Sequence, residues 1–354
     1  CAIARHTAED PCAGLPDANR LARQFPDLSL LHPWRPSVDQ AIELARTCEA
    51  AARAVDPRIT NSEGATLSTH EGMEVYANTL GFLGALAGTR HSLSAAVIAQ
   101  DAHGMQRDYW FTVSRDPNAL EAAESVGRRA AQRSLKRLGS RKLTTRKAPV
   151  VYDAPVAAGV LSHFVNAVRG EALYRNASFL IDSMGQPVFA PHVHLYEQPH
   201  LPGALGSTPF DNEGVATAAR DLVREGVVQG YVLDSYSARK LKLDTTGNAG
   251  GVHNLTIDVG PLDFAGLLKQ MGTGLFVTEL IGFGVNVITG DYSRGAAGFW
   301  VENGEIAYPV EEITIAGNLR DMFRGVVAVA NDVDVRGNVR TGSILIDQLT
   351  IAGS

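Results

Sequence analysis

The chain has 354 residues, of which 45% are hydrophobic and 20% are charged. This balance excludes a largely disordered protein, and the length allows two domains of ordinary size. Because 32 basic residues stand against 38 acidic ones, for a formal net charge of −6, the composition also excludes an overall positive field for nucleic acid.

The cysteines, Cys1, Cys12 and Cys48, all lie near the start of the chain. Three thiols without a CxxC pair do not make a closed disulfide framework, so we expect a reducing, cytoplasmic location. No apolar run is long enough to span a bilayer and no signal-peptide pattern opens the sequence, which argues against a membrane partner. The sequence does not begin with Met, and its first residues look like the middle of a longer segment. We therefore expect it to lack the first segment of a longer protein.

Residues 1–147 are predicted to form a mixed N-terminal domain of helices and strands. Ser37 and Gln40 match a capping box at the start of a helix, which Asp56-Pro57 ends. After this helix, up to Arg115, the apolar period changes to that of strands, which predicts an antiparallel meander. Its four short runs are Glu74–Asn78, Gly81–Leu86, Ser92–Gln100 and Asp108–Val113.

A second helix is predicted to begin at Asp116-Pro117 and to end at Gly139. It carries a dense set of cations at and beyond its C-terminal end. These could form a phosphate-binding stripe for nucleic acid or for gyrase, but the absence of interleaved aromatic residues favours a solvated face at the negative end of the helix dipole. The cations are Arg128, Arg129, Arg133, Lys136, Arg137, Arg141, Lys142, Arg146 and Lys147.

Residues 148–354 are predicted to form a mainly antiparallel β domain with short helices, after a boundary at Thr144–Pro149. Runs of strands broken by isolated helices place the chain in the α+β class. Helices are expected at Val156–Arg169, Asp263–Met271 and Asn318–Gly325. The strand candidates are Val150–Tyr152, Phe179–Asp182, Val193–Tyr196, Gly226–Leu233, Leu255–Val259, Leu275–Leu280 and Phe299–Glu302.

His192 and His194 form the clearest metal-ligand pattern that the residues alone provide. At positions i and i+2 of a strand both imidazoles face one side and could reach a single zinc ion, with Glu197 or His200 as a third ligand. An independent metallohydrolase is therefore one hypothesis. Polar residues of an exposed loop are the other interpretation, because closed zinc sites need three or four well-placed ligands. Neither a GxSxG elbow nor a plausible Cys/His pair indicates nucleophilic catalysis.

A long glycine-rich stretch, GDYSRGAAGFWVENG, occupies Gly290–Gly304. Shorter motifs accompany it in order along the chain, at Arg58–Gly64, Ser207–Gly214, Tyr236–Lys240, Gly272–Gly274, Gly317–Met322, Ala330–Asp332 and Ile351–Gly353. Together with Ala4-Arg5 and Asp10-Pro11 near the start, these motifs resemble the PmbA/TldE branch of the TldD/PmbA family over essentially the whole chain.

The resemblance implies a cytoplasmic heterodimer in which a TldD-type catalytic chain pairs with a PmbA/TldE-type chain. Such a complex is a zinc metallopeptidase, a hydrolase that acts on unfolded peptides, including a peptide-antibiotic precursor and the labile antitoxin of a gyrase-directed toxin. The family's label "modulator of DNA gyrase" would follow from these substrates rather than from nucleic-acid binding. The isolated chain could also form a homodimer, since homodimers are common.

The TldD-type chain carries its metal motif, HExxxH, on the helix that matches Leu161–Val168 here. His163 stands at the first ligand position, but Phe164 replaces the Glu general base and Val168 replaces the second His. The third ligand, a Cys, is matched by Thr341-Gly342, and no Cys follows Cys48. The resemblance therefore implies that this chain has no catalytic residue and holds no cofactor, and that the zinc belongs to the TldD-type partner.

Glycine clusters and a short helix provide the candidates for a peptide groove or a partner interface. The clusters at Gly247–Gly251 and Gly290–Gly295 match neither a dinucleotide-binding fingerprint nor a P-loop. They are tight turns or a bare backbone surface, which an extended peptide added to a sheet edge could approach closely. The candidate residues are Gly250, Gly290, Asp291, Tyr292, Arg294 and Arg320.

Overall fold

The computed structural model describes residues 8–353, so Cys1 and the Ala4-Arg5 motif lie outside it. The N-terminal part begins with helix α1, Val38–Arg53. Its predicted capping box is present: the Ser37 hydroxyl accepts a hydrogen bond from the Gln40 amide at 3.2 Å, and the Gln40 side chain accepts one from the Ser37 amide at 2.9 Å. Both bonds satisfy amides that the start of a helix otherwise leaves unpaired.

Three long strands follow as the predicted antiparallel meander, namely β1 Ile59–Ala77, β2 Leu83–Asp101 and β3 Gly104–Ser114. The prediction of four short runs is wrong, because the second and third runs belong to one continuous strand, β2. Gly88 lies in the predicted gap between these two runs, yet the ladder between β1 and β2 passes through it. Backbone pairing therefore overrides weak local propensity here.

The second helix also differs from its prediction. Asp116 caps only a short 3₁₀ turn, Pro117–Ala119, and the α-helix α2 spans Ala123–Lys136. The backbone is extended directly after the 3₁₀ turn, so that turn does not continue into α2. Helices α1 and α2 pack against each other closely, because a Cβ on Gly127 would come within 2.0 Å of the Cys48 carbonyl oxygen.

The remaining helices and strands belong to the C-terminal part. The helices are α3 Ala154–Ala167, α4 Gly170–Tyr174, α5 Ser235–Leu241, α6 Phe264–Met271 and α7 Leu319–Arg324. The strands are β4 Arg146–Tyr152, β5 Leu195–Glu197, β6 Arg220–Arg224, β7 Val227–Val228, β8 Leu255–Ile257, β9 Gly274–Ile281, β10 Asp291–Glu302, β11 Glu305–Asn318, β12 Val326–Val329, β13 Val339–Arg340 and β14 Ile344–Ala352. None of the helices within residues 8–353 combines the length and the apolar character that crossing a bilayer requires.

Two sheets organise these strands. The larger has the order β11–β10–β9–β4–β14–β12, and its pairs are antiparallel except for β4 with β9. Because β11 also pairs with β14 through Thr314–Ala316, the strands from β11 round to β14 close into a ring. The smaller sheet has the order β13–β8–β5–β6–β7. Mixed helices with largely antiparallel sheets confirm the α+β class.

Two strand predictions in this part are wrong. Phe179–Asp182 forms turns, although Phe179 and Leu180 are buried. Gly226–Leu233 contributes only the two residues of β7. Both segments are apolar because they fill the core from loops, and an apolar run alone does not distinguish this from a strand. The other predicted strands overlap observed ones, and the predicted helix at Val156–Arg169 corresponds to α3.

Strand β4 leads directly into helix α3, and this junction positions the first candidate site. Strand β4 is a central strand of the ring, between β9 and β14, and its residues Val150, Val151 and Tyr152 are all fully buried. Asp153 alone separates the strand from the helix. The direction of α3 is thereby fixed by the sheet.

Candidate functional site

Helix α3 carries the positions that the family resemblance assigns to a metal motif. Phe164 is 0% exposed and packs edge-on against Phe189 and Phe323, with ring centroids 5.1 Å and 6.0 Å away. Val168 is also fully buried, at the end of the helix. Both side chains are committed to the apolar core, and neither carries an atom that binds a metal or transfers a proton.

His163 keeps a polar side chain on the same helix. It is half-buried and lies edge-on to the Tyr292 ring, with centroids 5.9 Å apart. Burial lowers the pKa of His163, and the charge of Arg294 lowers it further. The imidazole is therefore neutral near pH 7, but the helix provides neither a second ligand nor a base beside it.

The surroundings of His163 contain polar groups that the fold does not use. The hydroxyls of Tyr152 and Tyr292 are buried, and neither has a hydrogen-bond partner within residues 8–353. Burial raises the pKa of both tyrosines, whereas Arg294 opposes the shift. These groups include no nucleophile paired with a base.

The position matched to the family's Cys ligand is also occupied by residues that pack within the protein. Thr341 is buried, and its hydroxyl donates to the Gly342 carbonyl at 2.8 Å. A Cβ at Gly342 would come within 1.8 Å of the Ala330 carbonyl oxygen. The residues present at the motif positions therefore do not fit a zinc ion, and no chemical step in this chain can be derived through one.

His194, from the alternative metal hypothesis, lies between two aspartates. Its Nε2 is 2.8 Å from an Asp221 oxygen and its Nδ1 is 2.9 Å from an Asp258 oxygen. Burial opposes charging the ring, but hydrogen bonds to Asp221 and Asp258 outweigh it and raise the pKa of His194. This ring therefore links the residue before β5 to β6 and to the residue after β8.

The other residues of that hypothesis do not join His194. Glu197 is buried and accepts a hydrogen bond from Arg220 at 2.8 Å. His200 bonds a threonine hydroxyl at 3.0 Å, and His192 is exposed. Nowhere between residues 8 and 353 are three His, Cys, Asp or Glu side chains placed to hold one metal ion.

Two of the predicted groove regions meet at one corner of the structure. Gly290 has φ +83°, a conformation that favours glycine. Asp291 accepts hydrogen bonds from a neighbouring threonine hydroxyl at 2.6 Å and from Asn318 at 3.3 Å. Asn318 also caps α7 by accepting from the Arg320 amide at 3.0 Å, and the Arg320 side chain reaches the Phe179 carbonyl. These residues build a turn and a helix start.

Gly250 borders a cleft that the sequence analysis does not predict. A Cβ at Gly250 would lie 2.6 Å from the Asn212 side chain, and Asn212 lines a cleft of about 700 Å³ between the β1–β2 ladder and residues 205–212. Arg90 and Arg115 lie in the same cleft. The available sequence signal is the glycines inside β1 and β2, since glycine within a strand often marks close approach of a ligand or another backbone.

The basic segment of α2 and its exit is largely used within the protein. Arg133 lies 3.2 Å from Asp108 and 3.6 Å from Asp153, and Arg137 lies 2.6 Å from Glu279. The others that have partners are Arg129 over the Trp110 ring, Arg141 over Tyr308, Arg146 over Trp300 and Lys142 beside Glu312. These contacts favour the interpretation of the segment as a structural surface over the phosphate-binding one.

Asp153 is a titratable residue that sequence reasoning missed. It lines a cavity of about 330 Å³ between the two parts of the chain, together with Arg133 and Asp108. Burial raises the pKa of Asp153 to about 6; Arg133 opposes this shift and Asp332 adds to it. The sequence signal was only an Asp before Ala-Pro at a predicted helix start, which indicates a cap and not an interface.

Comparison with known proteins assigns the whole of this architecture to one family. Models of the PmbA/TldA metallopeptidase central domain and C-terminal domain match residues 31–138 and 145–353. The chain is 52% identical over 351 residues to the Metalloprotease PmbA of Escherichia coli O157:H7, covering 99% of this chain and 78% of that protein. It is 47% identical over 356 residues to the Metalloprotease PmbA homolog of Haemophilus influenzae, covering 100% of this chain and 78% of the relative.

Solved structures agree. A Bacteroides thetaiotaomicron protein, solved as a candidate modulator of DNA gyrase, superposes with a TM-score of 0.94 at 30% identity and covers 100% of this chain and 81% of its own. TldE from Thermococcus kodakarensis superposes with a TM-score of 0.83 at 21% identity, covering 99% of this chain and 82% of its own, which shows a shared fold alone.

Proposed function

Because the chain belongs to the PmbA/TldA metallopeptidase family, we propose that it is the non-catalytic, PmbA/TldE-like subunit of a two-chain zinc metallopeptidase. The complex degrades unfolded peptides, such as peptide-antibiotic precursors and labile antitoxins, in the cytoplasm. Its other subunit is a TldD-type chain that holds the zinc. This chain completes the assembly around that site and contributes surface for the substrate.

The observation that carries this proposal is the burial of Phe164 and Val168 in the core. A zinc peptidase of the HExxxH type needs a carboxylate base and a second imidazole at these positions. Side chains that fill the core cannot give way to such groups without loss of packing. Catalysis by the complex therefore depends on residues of another chain.

An exposed apolar loop supports the assembly. Between β9 and β10, Phe283 is 99% exposed, and Ile281 and Ile288 are 57% and 60% exposed. Three large apolar side chains on one loop are typical of an interaction surface. In the proposed complex this loop contacts the TldD-type subunit, which would bury the Phe283 ring.

The test is a cleavage assay with metal analysis. The purified chain, a TldD-type chain from the same organism and their mixture are each incubated with an unstructured fluorogenic peptide, and bound zinc is measured for every sample. We expect zinc and cleavage only where the TldD-type chain is present, and full activity only in the mixture. Stoichiometric zinc and cleavage in this chain alone would refute the proposal.

A matched pair of variants sharpens the assembly part. Phe283→Ser should weaken co-elution with the TldD-type chain, whereas Leu31→Ser, at an exposed apolar residue elsewhere (45% exposed), should not. Equal co-elution of the two variants would remove the β9–β10 loop from the interface without touching the catalytic assignment.

A further inference from the structure

A cleft between the N-terminal sheet and the C-terminal part has the properties of a ligand site. Its floor is the β1–β2 ladder and its opposite wall comes from residues 205–212, with a volume of about 700 Å³. Phe210 from this wall covers the sheet at Gly84, because a Cβ there would come within 2.7 Å of the Phe210 ring. The cleft continues beyond Phe210 toward Gly88 and Arg90.

Two glycines face each other at the centre of the floor of the cleft. Gly72 on β1 lies directly opposite Gly88 on β2 in the antiparallel register. Neither glycine has a positive φ, so the backbone conformation does not require glycine at either position. At Gly88 a Cβ would come within 2.9 Å of the Arg115 guanidinium, but at Gly72 the nearest atom is only the mobile end of His70. His70 over Gly72 and Arg115 over Gly88 therefore form the central part of the floor.

Arg115 brings an uncompensated charge into this space. Its guanidinium donates to the carbonyls of Ala204 at 3.0 Å, Leu205 at 2.9 Å and Thr89 at 3.3 Å. Carbonyls orient the group but do not neutralise it. Burial lowers the pKa of Arg115, and the neighbouring Arg90 lowers it further.

Other well-covered arginines of the described chain are paired with acids. Arg137, Arg220 and Arg336 have side chains that are 15%, 19% and 13% exposed, and each lies within 3 Å of a carboxylate oxygen. No ion pair joins Arg115 or Arg90 to any acidic residue between 8 and 353. Two neighbouring arginines that form no direct ion pair favour an anion between them.

The acids that line the cleft set the size of that anion. Asp211 is buried, and its oxygens already accept from the amides of Glu213, Val215 and Ala249. Glu74 also lines the cleft, and its charge partly offsets that of Arg115. The two arginines and the two acids of the lining therefore balance in formal charge, and the cleft has no excess positive charge for the run of phosphates of a nucleic acid. A single carboxylate is the anion that suits arginines held apart from these acids.

We propose that this cleft binds an extended peptide through one of its carboxylates, with Arg90 and Arg115 holding the carboxylate and the peptide lying along the floor that His70 and Arg115 form over the two glycines. The identification of the ligand as a peptide rests on the proposed function; the preference for a carboxylate rests on the charges of the cleft. Arg90, which is exposed and makes no contact that the fold needs, is the residue that adapts to the ligand.

The test measures peptide binding by the full chain without any partner, so that it reads independently of cleavage. A short unstructured peptide without acidic side chains carries a neutral dye and ends in a free carboxylate or in an amide. A third peptide is amidated and contains one internal Glu. We expect fluorescence anisotropy to show binding about tenfold tighter for the free acid than for the neutral amide, as a charge-assisted hydrogen bond provides.

The third peptide separates the two sources of a carboxylate. Recovered affinity indicates that side chains are accepted, and affinity equal to that of the neutral amide indicates that the chain terminus is read. Both results keep the carboxylate site, since each requires the free acid to bind best. Equal binding of all three peptides, or no binding by any of them, would overturn the proposal.

Variants locate the site. Arg90→Gln should abolish the difference between free acid and amide, whereas Arg128→Gln, at an exposed α2 arginine outside the cleft, should preserve it. Gly72→Val should weaken all peptides by filling the floor, whereas Thr66→Val on the same strand should not. Unchanged binding in either cleft variant, with circular dichroism showing a folded protein, would contradict the placement.

A duplex DNA oligonucleotide is the remaining arm. Tight binding of DNA that Arg90→Gln weakens, together with weak binding of every peptide, would replace the peptide with nucleic acid. If the peptides do not bind this cleft, the two-chain cleavage assay still tests the proposed function. If that assay shows no cleavage, the peptide affinities of this chain can still be measured.

Discussion

Helix α3 and the cleft beside Arg115 both contain positions where a hydrolase of peptides would be expected to engage its substrate. On α3, the groups there are Phe164 and Val168, and the fold consumes both as core. In the cleft, Arg90 and Arg115 form no ion pair with any acidic residue of the described chain, although Glu74 lies in the same cleft. The difference teaches that catalytic groups and binding groups can be lost separately. On α3, core residues occupy the catalytic positions, whereas the arginines of the cleft remain available to bind a ligand.

The largest test of this comparison is Phe164→Ala. Removal of a ring that contacts Phe189 and Phe323 in the core should lower the free energy of unfolding by about 3–5 kcal/mol. Urea denaturation measures the loss, and Asn166→Ala on the exposed face of α3 should change it by less than about 0.5 kcal/mol. A loss below about 1 kcal/mol for Phe164→Ala would mean that this position is not committed to packing.

Asp153, at the start of the same helix, provides the next effect. Its pKa of about 6 in the folded protein is above the ordinary value of 3.8 because of burial. The ionised carboxylate therefore destabilises the fold above about pH 6, and the penalty disappears as the pH falls toward 4. At about 1.4 kcal/mol per pKa unit, this amounts to about 2–3 kcal/mol.

The measurement compares wild type with Asp153→Asn by urea denaturation at pH 7.5 and pH 4.5. We expect the stability of wild type relative to the variant to rise by about 2–3 kcal/mol at the lower pH. Since both proteins share all other titrating groups, their difference isolates Asp153, provided that the denaturant slopes agree. A difference that stays constant with pH would show that the carboxyl is well solvated or firmly paired.

The smallest effect distinguishes the two cleft arginines. Arg115→Met removes the donors to three carbonyls and should lower the free energy of unfolding by about 1–3 kcal/mol. Arg90→Gln, at an exposed residue, should change it by no more than about 0.5 kcal/mol. Thermal or urea unfolding of the two variants checks the ranking. A large loss for Arg90→Gln would give that residue a structural role and weaken its use as the adaptable half of the carboxylate site.

Local signals in the sequence were sufficient for the elements that local physics determines. The capping box of Ser37 and Gln40 begins α1 as predicted, because its hydrogen bonds join residues three apart. The strands β11 and β14 were not predicted, because their pairing joins Ile315 to Ile351 past the intervening α7, β12 and β13. The meander was predicted but divided too finely, since the segment around Gly88 looks like a turn until β1 is placed beside it.

For the candidate sites, the family resemblance located α3, and the structure adds what surrounds it. The burial of Phe164 could be expected from its apolar side chain. The meeting of the buried Tyr152 and Tyr292 hydroxyls could not, because they come from two strands far apart in the sequence. The cleft was beyond prediction for the same reason. Arg115 meets its carbonyl partners 89 and 90 residues further along the chain, so only the folded backbone shows that the charge lies in a recess.

The closure of the large sheet has a consequence for biosynthesis. Strands β4, β9, β10 and β11 all leave the ribosome before β14, yet β14 pairs with β4, β11 and β12 and completes the ring. Until residues 344–352 emerge, the nascent C-terminal part has unpaired edges on β4 and β11, which are templates for wrong association. The nascent chain is therefore prone to aggregation until β14 has been synthesised. Chaperone binding during that interval would protect the unpaired strand edges.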